Sequence, residues 1–204
     1  PASASASWEF SWSTQFFDHD NDGDLELLTL YGIDAGSVLD PAFGENGEQV
    51  EQFDRLWVRN QSTDIWHDVA GAAGLADGQS GRAAVVVDLN LDGCLDLVTW
   101  RLLSGPRLYQ GNCPSRGWMT VELEQTAAHN RRGVGAVLEF WSGKTFLGMR
   151  SINIGSTGVF SSGPPIAHFG LGNVAAVDLV TRWPDGVVTT HATLPAGHHV
   201  KLIR

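Results

Sequence analysis

Apolar stretches of strand length recur along the chain: Leu25–Tyr31, Leu56–Arg59, Ala83–Val87, Leu95–Trp100, Met119–Leu123, Ala136–Trp141 and Val177–Trp183. Most are bounded by Gly, Asp, Asn or Pro, and little of the chain has the 3.6-residue rhythm of an amphipathic helix. One short helical turn is expected near Val69–Leu75. Trp183-Pro184-Asp185-Gly186 is a turn signal between two strands. The pattern predicts an all-β protein.

Within that pattern an internal repeat stands out. Phe17-Asp-His-Asp-Asn-Asp-Gly-Asp-Leu-Glu-Leu27 aligns with Val87-Asp-Leu-Asn-Leu-Asp-Gly-Cys-Leu-Asp-Leu97, 70 residues further on. Each copy reads as strand, acidic loop, strand. Calcium takes six to eight oxygen ligands, often from carboxylates at alternating positions of one tight loop. In the first copy Asp18, Asp20 and Asp22 fall at positions 1, 3 and 5, Asp24 offers its carbonyl at 7 and Glu26 its carboxylate at 9. In the second, Asp88, Asn90, Asp92 and Asp96 take the side-chain roles and Cys94 the carbonyl role. Gly23 sits where the chain must turn sharply.

The expectation is two Ca2+ sites, the first stronger because the second has Asn90 in place of an acid. On this reading Asp18→Ala matters only when calcium is present. These are not EF-hands: position 12 is Thr29 or Thr99, and both loops run into strands. Two metal-free Asx-turn hairpins are the alternative. Magnesium prefers a compact octahedron with retained waters. Zinc has little support, since His19 is a single imidazole expected to face solvent, and His191, His198 and His199 form at best a minor candidate.

The net charge of −10 and the lack of a basic cluster argue against nucleic acid; Arg131–Arg132 is too little. No run approaches the apolar length of a transmembrane helix. The small polar stretch Pro1–Ser7 reads as a linker, and the absence of Met at position 1 suits a processed or cut chain. Cys94 and Cys113 flank an expected hairpin whose turn lies near Ser104–Gly105–Pro106, which places them within disulfide range, with two free thiols as the alternative. A bridge would imply an oxidising compartment.

The acidic loops resemble FG-GAP/VCBS repeats, the blades of β-propellers. The resemblance extends to Leu56-Trp-Val-Arg-Asn60, Trp66-His-Asp-Val-Ala70, Ala73-Gly-Leu75, Gly81-Arg82 and Leu108-Tyr-Gln-Gly-Asn112. From Trp118 on, the chain resembles the ASPIC/UnbV domain through Asn130-Arg-Arg-Gly-Val-Gly-Ala136, Ser161–Ser162, His168-Phe-Gly-Leu-Gly172 and Val180-Thr-Arg-Trp-Pro-Asp-Gly186. The resemblance implies a partial β-propeller of two FG-GAP/VCBS-type blades over 8–115, after a linker at 1–7, and a small antiparallel β domain of ASPIC/UnbV type over 116–204. It also implies secretion, calcium-loaded blades, adhesion or matrix-type roles and no established catalytic residues. Two blades cannot close a propeller, so the missing ones must come from elsewhere in a longer chain, from a partner or from other copies. The polar segment Asp34–Asp54 is expected to be an excursion loop that covers an edge or binds a partner.

Other features take plain readings. Trp8, Trp12, Trp57, Trp66 and Trp100 are expected to pack the core, with a sugar-stacking platform as the alternative. Trp118, Trp141 and Trp183 are expected to pack the terminal domain. His168 should hold a turn, and Gly133–Gly135 a tight turn rather than an anion cradle. No Gly-x-Ser-x-Gly elbow, His-Glu-x-x-His, Walker loop or haem motif occurs, so no enzyme is expected. The function expected is a calcium-binding extracytoplasmic structural or recognition module for protein–protein assembly or adhesion, within a larger propeller or complex. A carbohydrate-binding accessory protein is the alternative, and glycans are the second class of partner.

Overall fold

The computed structural model describes residues 9–32, 52–102, 104–127, 129–154, 158 and 160–204. The expected linker, Trp8 and most of the expected excursion loop (34–51) lie outside the described residues. Among those described there is no α-helix, and no helix is long and apolar enough to cross a membrane. The chain is all-β.

Four strands, β1 (Ser11–Phe17), β2 (Glu26–Tyr31), β3 (Arg55–Asn60) and β4 (Ile65–Asp68), form an antiparallel meander. Three more, β5 (Gly81–Val87), β6 (Asp96–Arg101) and β7 (Gly105–Tyr109), form a second. Alternation puts Leu28, Leu30 and Leu56 on one face of the first sheet, and Ala84, Leu97, Thr99 and Arg101 on one face of the second; all are buried. These faces meet: Gln15 Nε2 donates to the Ala84 carbonyl, and a Cβ built on Gly81 would lie 3.0 Å from Leu30. The expected helical turn follows β4, where Ala73 N donates to Val69 O at 3.0 Å and Leu75 N to Ala70 O at 2.9 Å. It places Ala70 and Leu75 in the same core.

The hairpin between the cysteines turns earlier than its Gly-Pro pair implies. Arg101 pairs with Gly105 and Trp100 with Pro106, so Pro106 is a strand residue. β7 is an edge strand, where the missing N–H costs no ladder bond. Cys94 and Cys113 are disulfide-bonded, with Cα atoms 5.6 Å apart.

The remaining strands are β8 (Gly117–Glu124), β9 (Val137–Ser142), β10 (Thr145–Ser151), β11 (Ile166–Gly172), β12 (Ala176–Arg182), β13 (Val188–Pro195) and β14 (His198–Ile203). They build two sheets, β10-β9-β12-β13 and β11-β8-β14. The sheets enclose one core that includes Met119, Val121, Leu138, Phe140, Phe169 and Leu179, a β-sandwich. It is not wholly antiparallel, as expected from sequence, because β14 pairs parallel to β8. The chain leaves β13 in one sheet and crosses through Ala196–Gly197 to the other, arriving beside β8 in the same direction as β8; the opposite edge of β8 is already taken by β11. The turn at Trp183–Gly186 closes with Gly186 N donating to Trp183 O at 3.0 Å. Gly133–Gly135 forms a turn held by the Asn130 side chain.

The tryptophans divide differently from the expectation. Trp183 is buried, but Trp66 and Trp100 are 38% and 54% exposed. Both sit on outward sheet faces that nothing described here covers. Alternation shows which face of its sheet each lies on, not whether that face is packed.

Candidate metal centre

The two acidic loops fold alike, atom for atom. Asp18 Oδ1 accepts from Asp22 N at 3.2 Å and Oδ2 from Gly23 N at 2.8 Å; Asp88 accepts from Asp92 N and Gly93 N at the same distances. Asp22 Oδ1 accepts from Asp24 N, and Asp92 Oδ1 from Cys94 N, both at 2.8 Å. Glu26 reaches back to His19 N and Asp96 to Leu89 N, both at 2.9 Å. Asn21 and Leu91 have φ of 62° and 61°, and Gly23 and Gly93 have 97° and 88°. The carboxylates thus shape the loops through backbone N–H groups before any ion is considered.

As possible ligand sets the loops differ. Asp18, Asp20 and Asp22 each bring one carboxylate oxygen within 4.8 Å of the others, and so do the ligand atoms of His19, Asp20 and Glu26. Among the described residues the second loop forms no such group of acids: Asn90 stands where the first loop has Asp20, and its Nδ2 donates to Asp92 Oδ2 at 2.8 Å. Asp18 is buried, and Asp20 Oδ1 is buried with no hydrogen-bond partner among the described residues, His19 Nδ1 lying 4.0 Å away. Burial, and then the neighbouring Glu26 and Asp22, push Asp18 up to about 6 against the bond from Gly23. Burial also raises Asp22. A crowded all-oxygen set in which the charged forms of Asp18 and Asp22 are disfavoured fits a hard cation such as Ca2+. Asp18, Asp20 and Asp22 would hold it, and it would supply the positive charge that relieves their repulsion.

Two expectations change. His19 does not simply face solvent: its Nδ1 lies 2.7 Å from Glu26 Oε2, and that bond raises its pKa. Asp18→Ala removes the two carboxylate oxygens that accept from Asp22 N and Gly23 N, so it weakens the loop with or without metal.

The loops are also where the C-terminal sandwich docks. The outward face of β11-β8-β14 carries Gly170 and Trp118 as one cross-strand pair, and His168, Thr120 and His199 as the next row. Gly170 lies against the first loop, where a Cβ would fall 2.1 Å from Asp18 Oδ2 and 2.6 Å from the Asn21 backbone. Gly172 N donates to Asn21 O at 2.9 Å. On the second loop, Trp118 lies over Gly93, and His168 is not in a turn but in β11, with Nε2 3.0 Å from Gly93 O. Burial lowers His168 to about 4. The His199 ring packs at a tilt against Trp118, with centroids 4.7 Å apart, and points Nε2 to within 3.8 Å of Asp88. Asn21 joins the loops, donating to Gly93 O at 3.0 Å and to Cys113 Sγ at 3.2 Å. Arg116, just before β8, pairs with Asp20 Oδ2 at 2.6 Å and lies 3.9 Å from Asp22. It is a protein cation already placed on the first loop, and neither it nor the docking face was visible in the loop spacing.

The chain is 28% identical over 183 residues to cartilage acidic protein 1 of Xenopus tropicalis, covering 86% of this chain and 26% of that protein. It is 31% identical over 116 residues to the Mus musculus protein of that name, covering 55% and 18%, and 33% over 113 residues to the Homo sapiens one, covering 52% and 16%. It therefore spans about a quarter or less of these relatives. Residues 126–204, most of the C-terminal sandwich, match the family described as ASPIC and UnbV.

Proposed function

We propose that this chain is a calcium-binding structural module in which two repeat sheets form part of a longer, propeller-like stack and the C-terminal sandwich is clamped onto their acidic loops. One observation carries the reading. The 70-residue repeat maps Leu28, Leu30 and cross-strand Leu56 of the first sheet onto Val98, Trp100 and Leu108 of the second. The first three are at most 2% exposed because the second sheet covers them, whereas Trp100 and Leu108 are 54% and 63% exposed. The exposed row carries on into Ala83, Val85 and Pro106 with no charged side chain among them. A face built for burial and left open takes another sheet of the same kind, by the same stacking step.

In the isolated chain that sheet comes from a second copy, whose β1–β4 sheet offers the matching outward face. Sedimentation at micromolar concentration should show association that Trp100→Glu with Leu108→Glu abolishes while leaving the melting temperature within a few degrees. A monomer at every concentration overturns the stacking reading. Calcium should raise the melting temperature of the wild type and leave Asp20→Asn unmoved; an equal rise in both counts against a site in the first loop. The disulfide supports an oxidising, extracytoplasmic setting. A glycan platform built from tryptophans is less well supported, because Trp66 and Trp100 lie on opposite outer faces of the stacked pair.

A further inference from the structure

Where the sandwich meets the loops, a cavity of about 320 Å³ opens between β1, β5 and the β11-β8-β14 sheet. Its walls are largely apolar, and Phe16, Leu91 and Ile166, which are 60%, 66% and 42% exposed, stand among them. On the sandwich side three neighbouring side chains each hold a buried polar atom with no hydrogen-bond partner among the described residues: Thr120 Oγ1, Arg150 Nη2 and His168 Nδ1. They are close by construction. Thr120 and His168 are cross-strand partners, and Arg150 Nε donates to the His168 carbonyl at 3.1 Å.

The chemistry of these atoms is fixed by what their other ends do. His168 Nε2 faces the Gly93 carbonyl, which only accepts, so the ring proton is on Nε2 and Nδ1 is a bare acceptor. Arg150 spends Nε and Nη1 on the carbonyls of His168 and Met149, so Nη2 is a donor in search of an acceptor. Thr120 can play either part. A carboxylate ligand would satisfy Arg150 but not His168, and would meet Asp18 and Asp88, which also line the cavity. A hydroxyl gives one hydrogen bond and takes another, and a neutral ring bearing several of them suits both this donor–acceptor set and the apolar walls.

We propose that this cavity binds a neutral polyhydroxylated molecule the size of one sugar ring, with hydroxyls shared among Thr120, Arg150 and His168. Leaving such atoms unpaired in the free protein is costly, and all three residues line the cavity. The site lies apart from the open stacking face, and it shares Asp18 with the first acidic loop, so its test is run at saturating calcium.

Titration of the calcium-saturated chain with methyl glucoside, methyl mannoside and N-acetylglucosamine, with sodium acetate as the anionic control, followed by the ring signals of His168, tests it. At least one sugar should shift those signals saturably. Thr120→Val should weaken its binding about tenfold, the size of one lost hydrogen bond, without lowering the melting temperature, and Thr120→Ser should restore it. Silence from every sugar, binding of acetate in their place, or equal affinity of Thr120→Val and wild type would overturn the proposal. In those cases the loops and the sheet stacking stand or fall on their own tests.

Discussion

Gly170→Ala is expected to release the C-terminal sandwich from the first acidic loop. The added methyl would sit 2.1 Å from Asp18 Oδ2 and 2.6 Å from the Asn21 backbone. The carboxylate cannot swing aside without giving up the N–H groups of Asp22 and Gly23. Asn21 cannot retreat without losing its bonds to Gly93 and Cys113. The expected loss is about 2–3 kcal/mol, the upper part of the range for overpacking a close contact. Gly71→Ala serves as control, since a methyl there meets nothing within 4 Å, and it should change stability by less than about 0.5 kcal/mol. Urea unfolding gives the energies. Protease sensitivity in the segment around Arg116 distinguishes undocking from general loosening, because that segment is held to the first loop by the Arg116–Asp20 pair. Equal stability of Gly170→Ala and wild type would mean that the sandwich does not dock as described.

The parts of this structure that could be read from sequence are those fixed by neighbours along the chain. Asp18, Gly23 and Glu26 act on backbone groups within seven residues, so the loop is encoded in its own stretch, and its copy at Asp88, Gly93 and Asp96 repeats it. The disulfide was legible for the same reason, as a hairpin brings Cys94 and Cys113 together whichever way the sheet packs. What escaped was set by distant partners. The pairing of β14 with β8 joins residues on opposite sides of the sandwich sequence, and nothing local distinguishes a parallel neighbour from an antiparallel one. The His168-Phe-Gly-Leu-Gly172 stretch announces closeness at its glycines, yet what comes close to Gly170 lies about 150 residues earlier in the chain. Trp100 shows the same limit. Its alternation with Val98 marks an apolar face, but burial depends on whether another sheet arrives.

Arg101 is the sharpest case, and it carries the second large expected effect. It occupies the repeat position of half-buried Tyr31, in a strand whose pattern offers no reason to place a guanidinium inside. It is nevertheless 1% exposed and lies 2.5 Å from Asp54 Oδ2, itself 2% exposed. Asp77 lies 3.6 Å from its Nε, and Gln79 O accepts from Nη1 at 3.2 Å. Asp54 Oδ1 in turn accepts from Tyr31 N at 3.0 Å, so one buried pair ties β6 to β2 and to the segments entering β3 and β5. Taking two charges out of water is unfavourable, and mutual attraction offsets that cost only while both are present. Arg101→Met keeps the bulk and leaves Asp54 buried without its cation, which should lower stability by about 3–5 kcal/mol. Adding Asp54→Asn removes the stranded charge while keeping an oxygen for Tyr31 N, and the double variant should therefore be more stable than Arg101→Met alone. Were the two single losses simply to add in the double variant, Arg101 and Asp54 would be acting independently, and the sheets would owe their register to the apolar contacts of Leu28, Leu30 and Leu97 instead.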